Sequence, residues 1–158
     1  MAQWQDLGLA KATFATLCRA LDNKEWKYDA DHEALRLHCG VRGDDLPMDL
    51  NFTVDSDRML IIMTSHLPYA IPENKRLEVA IAVSLVNNML AHGCFDYDIQ
   101  EGNIFYRMTN CFIESQVGEE LFEYLLNAAC HVVDEYNDKF LMLGKGMLSL
   151  EQFMQMLP

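Results

Sequence analysis

Three stretches with a hydrophobic period of two follow one another between residues 34 and 63, separated only by turn-like runs. In ALRLHCGV (34–41), Leu35, Leu37, Cys39 and Val41 point one way, while Arg36 and His38 point the other. In MDLNFTV (48–54), Met48, Leu50, Phe52 and Val54 share a face opposite Asp49, Asn51 and Thr53. That alternation predicts strands with one buried face and one wet face. RMLIIM (58–63) is apolar on both faces and predicts a central strand. GVRGDD and DSD mark the turns. Ahead of this run, Trp26 and Tyr28 alternate with charged neighbours and predict a short additional strand.

Helical spacing brackets the strands. Residues 5–21 place Leu7, Leu9, Ala10, Phe14, Leu17, Cys18 and Leu21 at steps of mostly three and four. SHLPYAIPEN, with Pro68 and Pro72, reads as a linker. A helix is predicted over 73–92, with two apolar rows. One is Val79, Val83, Val86 and Leu90; the other is Leu77, Ile81, Leu85 and Met89. A helix apolar on two sides is expected to be buried on two sides. A long helix over 118–143 carries Phe122, Leu125, Ala129, Val132, Val133, Tyr136 and Phe140. Glu119 and Glu120 sit in its first turn, where the helix dipole favours negative charge. Gly144 and Gly146 end it, and Ser149-Leu150-Glu151-Gln152 fits a capping box. Strands come in runs and do not alternate with helices, so the class is α+β with a mainly antiparallel sheet packed with helices. The expected organisation is a single domain over 1–143 and a short helical tail over 144–158.

HGCFDYDIQEGNIFYR (92–107) concentrates a histidine, a cysteine, three acids and an arginine. Gly93 falls where a helix C-terminal glycine is expected, leaving His92 in the last turn. Phe95, Tyr97 and Ile99 alternate, as do Ile104, Tyr106 and Met108. A hairpin pairing Ile99 with Ile104 would set Tyr97 opposite Tyr106 and Asp96 opposite Arg107. Each polar residue thus has a structural role, and no metal or catalytic role is assigned to His92, Cys94 or Asp96.

The 158 residues carry 12 Lys plus Arg against 24 Asp plus Glu, a formal charge of −12. Such a field repels phosphate backbones and anionic lipid, so neither nucleic acid nor membrane is an expected partner. MAQWQDLGLAKATF lacks the basic start and apolar run of a secretory signal, and VAIAVSLV is too short to span a bilayer. Five scattered cysteines suit reduced thiols in a cytoplasmic protein. CxxC, HExxH, GxSxG and phosphate-cradling glycine loops are absent, so no cofactor, metal or catalytic residue is assigned. Met142, Met147, Met154 and Met156 crowd the C-terminal end with Phe153, a composition suited to an adaptable contact surface.

Trp26 and Tyr28, then Leu35 and Leu37, then the proline linker leading into Pro72, Arg76, Glu78, Val79, Ala80 and Asn87, form a spaced pattern. It continues through Gly93, Phe95, Asp96, Gly102, Tyr106, Arg107, Asp134 and Tyr136. Over about residues 15–143 this pattern resembles the YbjN-type family of bacterial sensory-transduction regulators. The resemblance implies a fold like that of type III secretion chaperones. Those are acidic, usually dimeric α+β proteins that bind polypeptides and do no chemistry. It transfers no catalytic residue.

The expectation is therefore a non-enzymatic, regulatory or chaperone-like protein-binding module, acting as a homodimer with an unidentified protein partner. The dimer contact is expected on Val79, Val83 and Val86 or on Leu77, Ile81 and Leu85. Partner contact is expected at Phe153 and Met154. One alternative is a small-ligand sensor with a pocket lined by Trp26, Tyr97 and Tyr106. Another is a thiol-dependent enzyme, which a hyper-reactive cysteine would reveal.

Overall fold

The alternating stretches form one six-stranded sheet in the computed structural model, which describes residues 6–158. Helix α1 (Leu7–Asn23) starts at Asp6, whose Oδ1 accepts the Leu9 amide N–H at 2.9 Å. Strands β1 (Asp29–Asp31), β2 (Arg36–Arg42), β3 (Pro47–Asp55) and β4 (Leu60–Ala70) follow. A 3-10 turn (Glu73–Lys75) leads into α2 (Arg76–Asn87), then β5 (Cys94–Asp98), β6 (Asn103–Cys111), α3 (Glu119–Gly144) and α4 (Leu150–Gln155). Every strand pair is antiparallel, in the order β1-β2-β3-β4-β6-β5. The α+β class is as expected.

Three hairpins share one device. Asp31, Asp55 and Asp98 each close a strand and accept the amide N–H groups two and three residues on, at 2.9–3.2 Å. Each four-residue loop ends on a left-handed residue: Leu35 at φ 52°, Met59 at φ 55° and Gly102 at φ 80°. Leu35 is therefore not the first residue of a strand, as its alternation suggested, but the hinge before one. Leu35 and Met59 hold this costly conformation because their side chains are buried in the core.

The same device corrects the predicted register. Tyr97 pairs with Ile104 and Phe95 with Tyr106, two residues off the expected pairing. Asp96 still meets Arg107, but diagonally, with Arg107 Nε donating to Asp96 Oδ2 at 2.5 Å.

Two further expectations fail. SHLPYA is not a linker, since β4 runs through Pro68 to Ala70. Beyond Thr64 no β3 residue pairs with β4, and the β6 register breaks between His66 and Ala70. Pro68 therefore sits where the ladder asks for no donor. The second helix stops at Asn87 and not at 92. Past its end the Met89 N–H turns to the Val86 carbonyl three residues back, and the bond to β5 comes from the Asn87 side-chain amide. It accepts the Phe95 N–H at 2.7 Å and donates to the Phe95 carbonyl at 2.9 Å, tying the helix end to the outer edge of β5. Gly93, at φ 77°, belongs to the turn into β5 and not to a helix cap, and a Cβ there would run into the Tyr106 hydroxyl.

The burial alternation places α1, α2 and α3 on one face of the sheet. Leu37, Cys39, Leu50, Phe52, Ile61, Met63, Ile104, Tyr106 and Met108 are buried beneath them. Arg36, His38 and Asp49 face outward and are exposed.

Candidate protein-docking surface

Helix α2 has two apolar rows with different fates. Val79, Val83 and Val86, at 0%, 6% and 0% exposure, belong to the protomer's own core and offer no surface to a second molecule. This removes the valine row from the expected dimer contact. The physical reason is the helical period: the arc carrying Val79, Ala82, Val83 and Val86 faces inward. The other row is outside. Leu77 is 75% exposed and Ile81 50%, while Leu85 is half-buried. Met89, just past the helix end, extends the row. At about 1.5 Å rise per residue, Leu77 to Leu85 makes an apolar ridge of about 12 Å.

The ridge is flanked by a fixed turn. Arg76, the first residue of α2, donates from Nε to the Ile71 carbonyl at 3.1 Å and from its guanidinium to the Gln100 and Glu101 carbonyls. The β5–β6 turn, with exposed Ile99, is thereby held beside the start of the helix. Past the other end lies a cleft of about 450 Å³ between the Met89–Ala91 turn, Val132 and Tyr136 of α3, and Met156. Sequence reading missed this cleft. Its walls come from three segments at least twenty residues apart in the chain, and Val132, expected in the buried stripe of α3, is only half-buried.

Of the two tail residues expected to meet a partner, only Met154 is outside, at 50% exposure. Phe153 is fully buried, stacked on Phe140 with ring centroids 5.7 Å apart. It is a core anchor. A six-residue helix with one apolar side must bury its aromatic residue to stay in place.

The aromatic pocket is not formed. Trp26 precedes β1 and Tyr97 lies on β5, the two opposite edge strands. Tyr106 is fully buried, and its hydroxyl donates to the His92 carbonyl at 2.7 Å.

His92, Cys94 and Asp96 are engaged structurally. His92 stacks on Tyr124, with ring centroids 5.6 Å apart. Asp96 takes the Arg107 guanidinium. No group of three or more His, Cys, Asp or Glu among the described residues is arranged to hold a metal ion. Among the described residues, no helix is long and apolar enough to cross a membrane.

Four thiols are held in the unreactive, protonated form. Burial pushes Cys39 up to about 12 and Cys130 up to about 11; burial also raises Cys18 and Cys94, the latter helped by the Asp96 carboxylate. A raised thiol pKa lowers the thiolate fraction at any neutral pH, to about one in ten thousand for Cys39 at pH 8. Iodoacetamide on the native protein at pH 6 is thus expected to give no stoichiometric single-site adduct. At pH 8 the exposed Cys111 should label first. A single cysteine fully alkylated at pH 6, read by mass spectrometry, would revive the thiol-enzyme reading.

A family model, YbjN, described as "Putative bacterial sensory transduction regulator", matches residues 13–142. No curated protein matches the sequence. Among solved structures, the chain is similar to YbjN from E. coli, with a TM-score of 0.57 and 14% identity over 80% of this chain and 92% of that one. It is similar to a chain of the ExsC–ExsE complex, with a TM-score of 0.59 and 11% identity over 82% and 94%. It also resembles a chain of the HopA1–SchA chaperone–effector complex, with a TM-score of 0.53 and 14% identity over 85% and 98%.

Proposed function

The chain belongs to the YbjN family, and from that premise we propose that it is a non-enzymatic, cytoplasmic, chaperone-like regulator that works by binding another polypeptide, as a homodimer. The observation that carries this reading is the apolar ridge on the outer face of α2, where exposed Leu77 and Ile81 line up with half-buried Leu85 and exposed Met89. An apolar ridge left on a folded protomer is a surface awaiting cover. A helix packing on its own symmetry mate across a two-fold covers the same residues on both sides at once. Two of the similar folds were solved in complexes named for two different proteins, ExsC–ExsE and HopA1–SchA, which supports a polypeptide as the second partner here. The elevated thiols and the dispersed aromatic residues favour neither rival reading.

Native mass spectrometry of the protein gently purified from its own host tests the proposal. The expected species is a dimer carrying a second polypeptide. A monomer at micromolar concentration would end the dimer assignment. A bare dimer from every growth condition would remove the client.

A further inference from the structure

The cleft walled by Met89, Leu90, Ala91, Val132, Tyr136 and Met156 does not end in neutral surface. His131 and Glu135 form its margin, and the same two residues open a second depression of about 300 Å³ that also contains Asp44, Asp45, Asp134 and Asp138. The β2–β3 turn is fixed there, because the Asp44 amide N–H donates to Asp134 Oδ1 at 2.9 Å. Against these five carboxylates the depression sets Lys139, which is already bonded to Glu135 at 2.7 Å. An apolar, methionine-lined cleft and an acidic depression therefore adjoin at His131 and Glu135 of α3, a composite groove with one apolar and one acidic end.

We infer that this groove receives a basic amphipathic segment of the partner polypeptide, with apolar anchors between Met89 and Met156 and Lys or Arg side chains over Asp44, Asp45 and Asp138. The inference rests on the protein-binding reading and specifies its partner's chemistry. Methionine walls reshape around varied apolar side chains. The carboxylates select cations and speed encounter, and the chain's overall charge of −12 reinforces that sign. The groove shares Met89 with the extended ridge but none of Leu77, Ile81 or Leu85, so dimer and client meet at one residue and otherwise use different ones.

A fluorescein-labelled Leu/Lys amphipathic peptide and its Leu/Glu counterpart test this by anisotropy at low salt. The Leu/Lys peptide is expected to bind, and Met156→Asp and Asp44→Lys/Asp45→Lys should each weaken it by about tenfold or more. All three sites are exposed, and circular dichroism checks that the fold is kept. Asp29→Lys/Glu33→Lys, on β1 and in the turn after it, changes the same net charge as the second variant and should leave affinity within about twofold. Equal loss from that remote pair, no loss from the groove variants, or equal binding of the Leu/Glu peptide would overturn the groove. If the Leu/Lys peptide fails while a host polypeptide still co-purifies, the groove falls and the protein-binding reading stands. If both fail, that reading falls too.

Discussion

Ile81→Asp is expected to give a folded monomer, and Val83→Asp no folded protein at all. The two positions lie two residues apart on one helix, yet Ile81 is 50% exposed and Val83 6%. A carboxylate at 81 stays in water in the protomer and costs little there. Across a two-fold contact it would place two unpaired carboxylates in an apolar interface. At about 3–5 kcal/mol for even one uncompensated buried charge, the dimer dissociation constant should rise by at least about two orders of magnitude. At 83 the same charge enters the protomer core, with no cation among its neighbours on the inner arc of Val79, Ala82 and Val86. The penalty then acts on folding itself, against a total stability of about 5–15 kcal/mol for a domain. Sedimentation velocity and near-ultraviolet circular dichroism separate the outcomes. An Ile81→Asp protein that remains dimeric at micromolar concentration would show that the ridge is not the contact.

Phe153→Ala should cost about 3–5 kcal/mol, as large-to-small substitutions in a packed aromatic core do. Phe153 is fully buried at the end of an aromatic series that runs from Tyr106 through Phe95 and Phe140, with successive centroids 5.2, 5.2 and 5.7 Å apart. Helix α4 has its capping box, with the Gln152 N–H donating to Ser149 Oγ at 3.1 Å and the Ser149 N–H to Gln152 Oε1 at 2.9 Å. Six residues are nevertheless too few to hold a helix without packing. Losing the ring therefore opens a cavity and releases the tail together. Met154→Asp, one residue on and exposed, should change stability by less than about 0.5 kcal/mol. Urea titration of the pair measures both. A Phe153→Ala loss under about 1 kcal/mol would mean that the tail is not part of the core. Because Met156 lines the groove along α3, the ring that anchors the tail also shapes one wall of that groove.

Much of the architecture was legible before any coordinates. Periodicity gives the direction of each side chain, so β2, β3 and α3 were placed to within about two residues. The errors share a cause. SHLPYA looked like a linker because proline breaks a ladder, but the harm depends on whether a neighbouring strand needs the missing donor. Leu35 looked like a strand residue because it continues the alternation. Its left-handed backbone follows from the Asp31 turn before it and the core behind it. The helix expected to run to 92 stops at Asn87, and that residue's side-chain amide reaches the edge of β5, eight residues further on.

The candidate site was half legible. Both apolar rows of α2 were visible in the sequence, and no local rule distinguishes them. The sequence by itself determined the antiparallel α+β class, the two-row helix, the acidic character and the absence of familiar catalytic spacings, since these follow from side-chain chemistry and the periods of strand and helix. Only the tertiary structure decided which row stays outside, that Phe153 points inward, and that the methionine cleft meets the Asp44–Asp138 carboxylates. Each of these is a relation between segments distant in the chain, and burial is a property of what packs against a residue, which the residue's own neighbours in sequence do not specify.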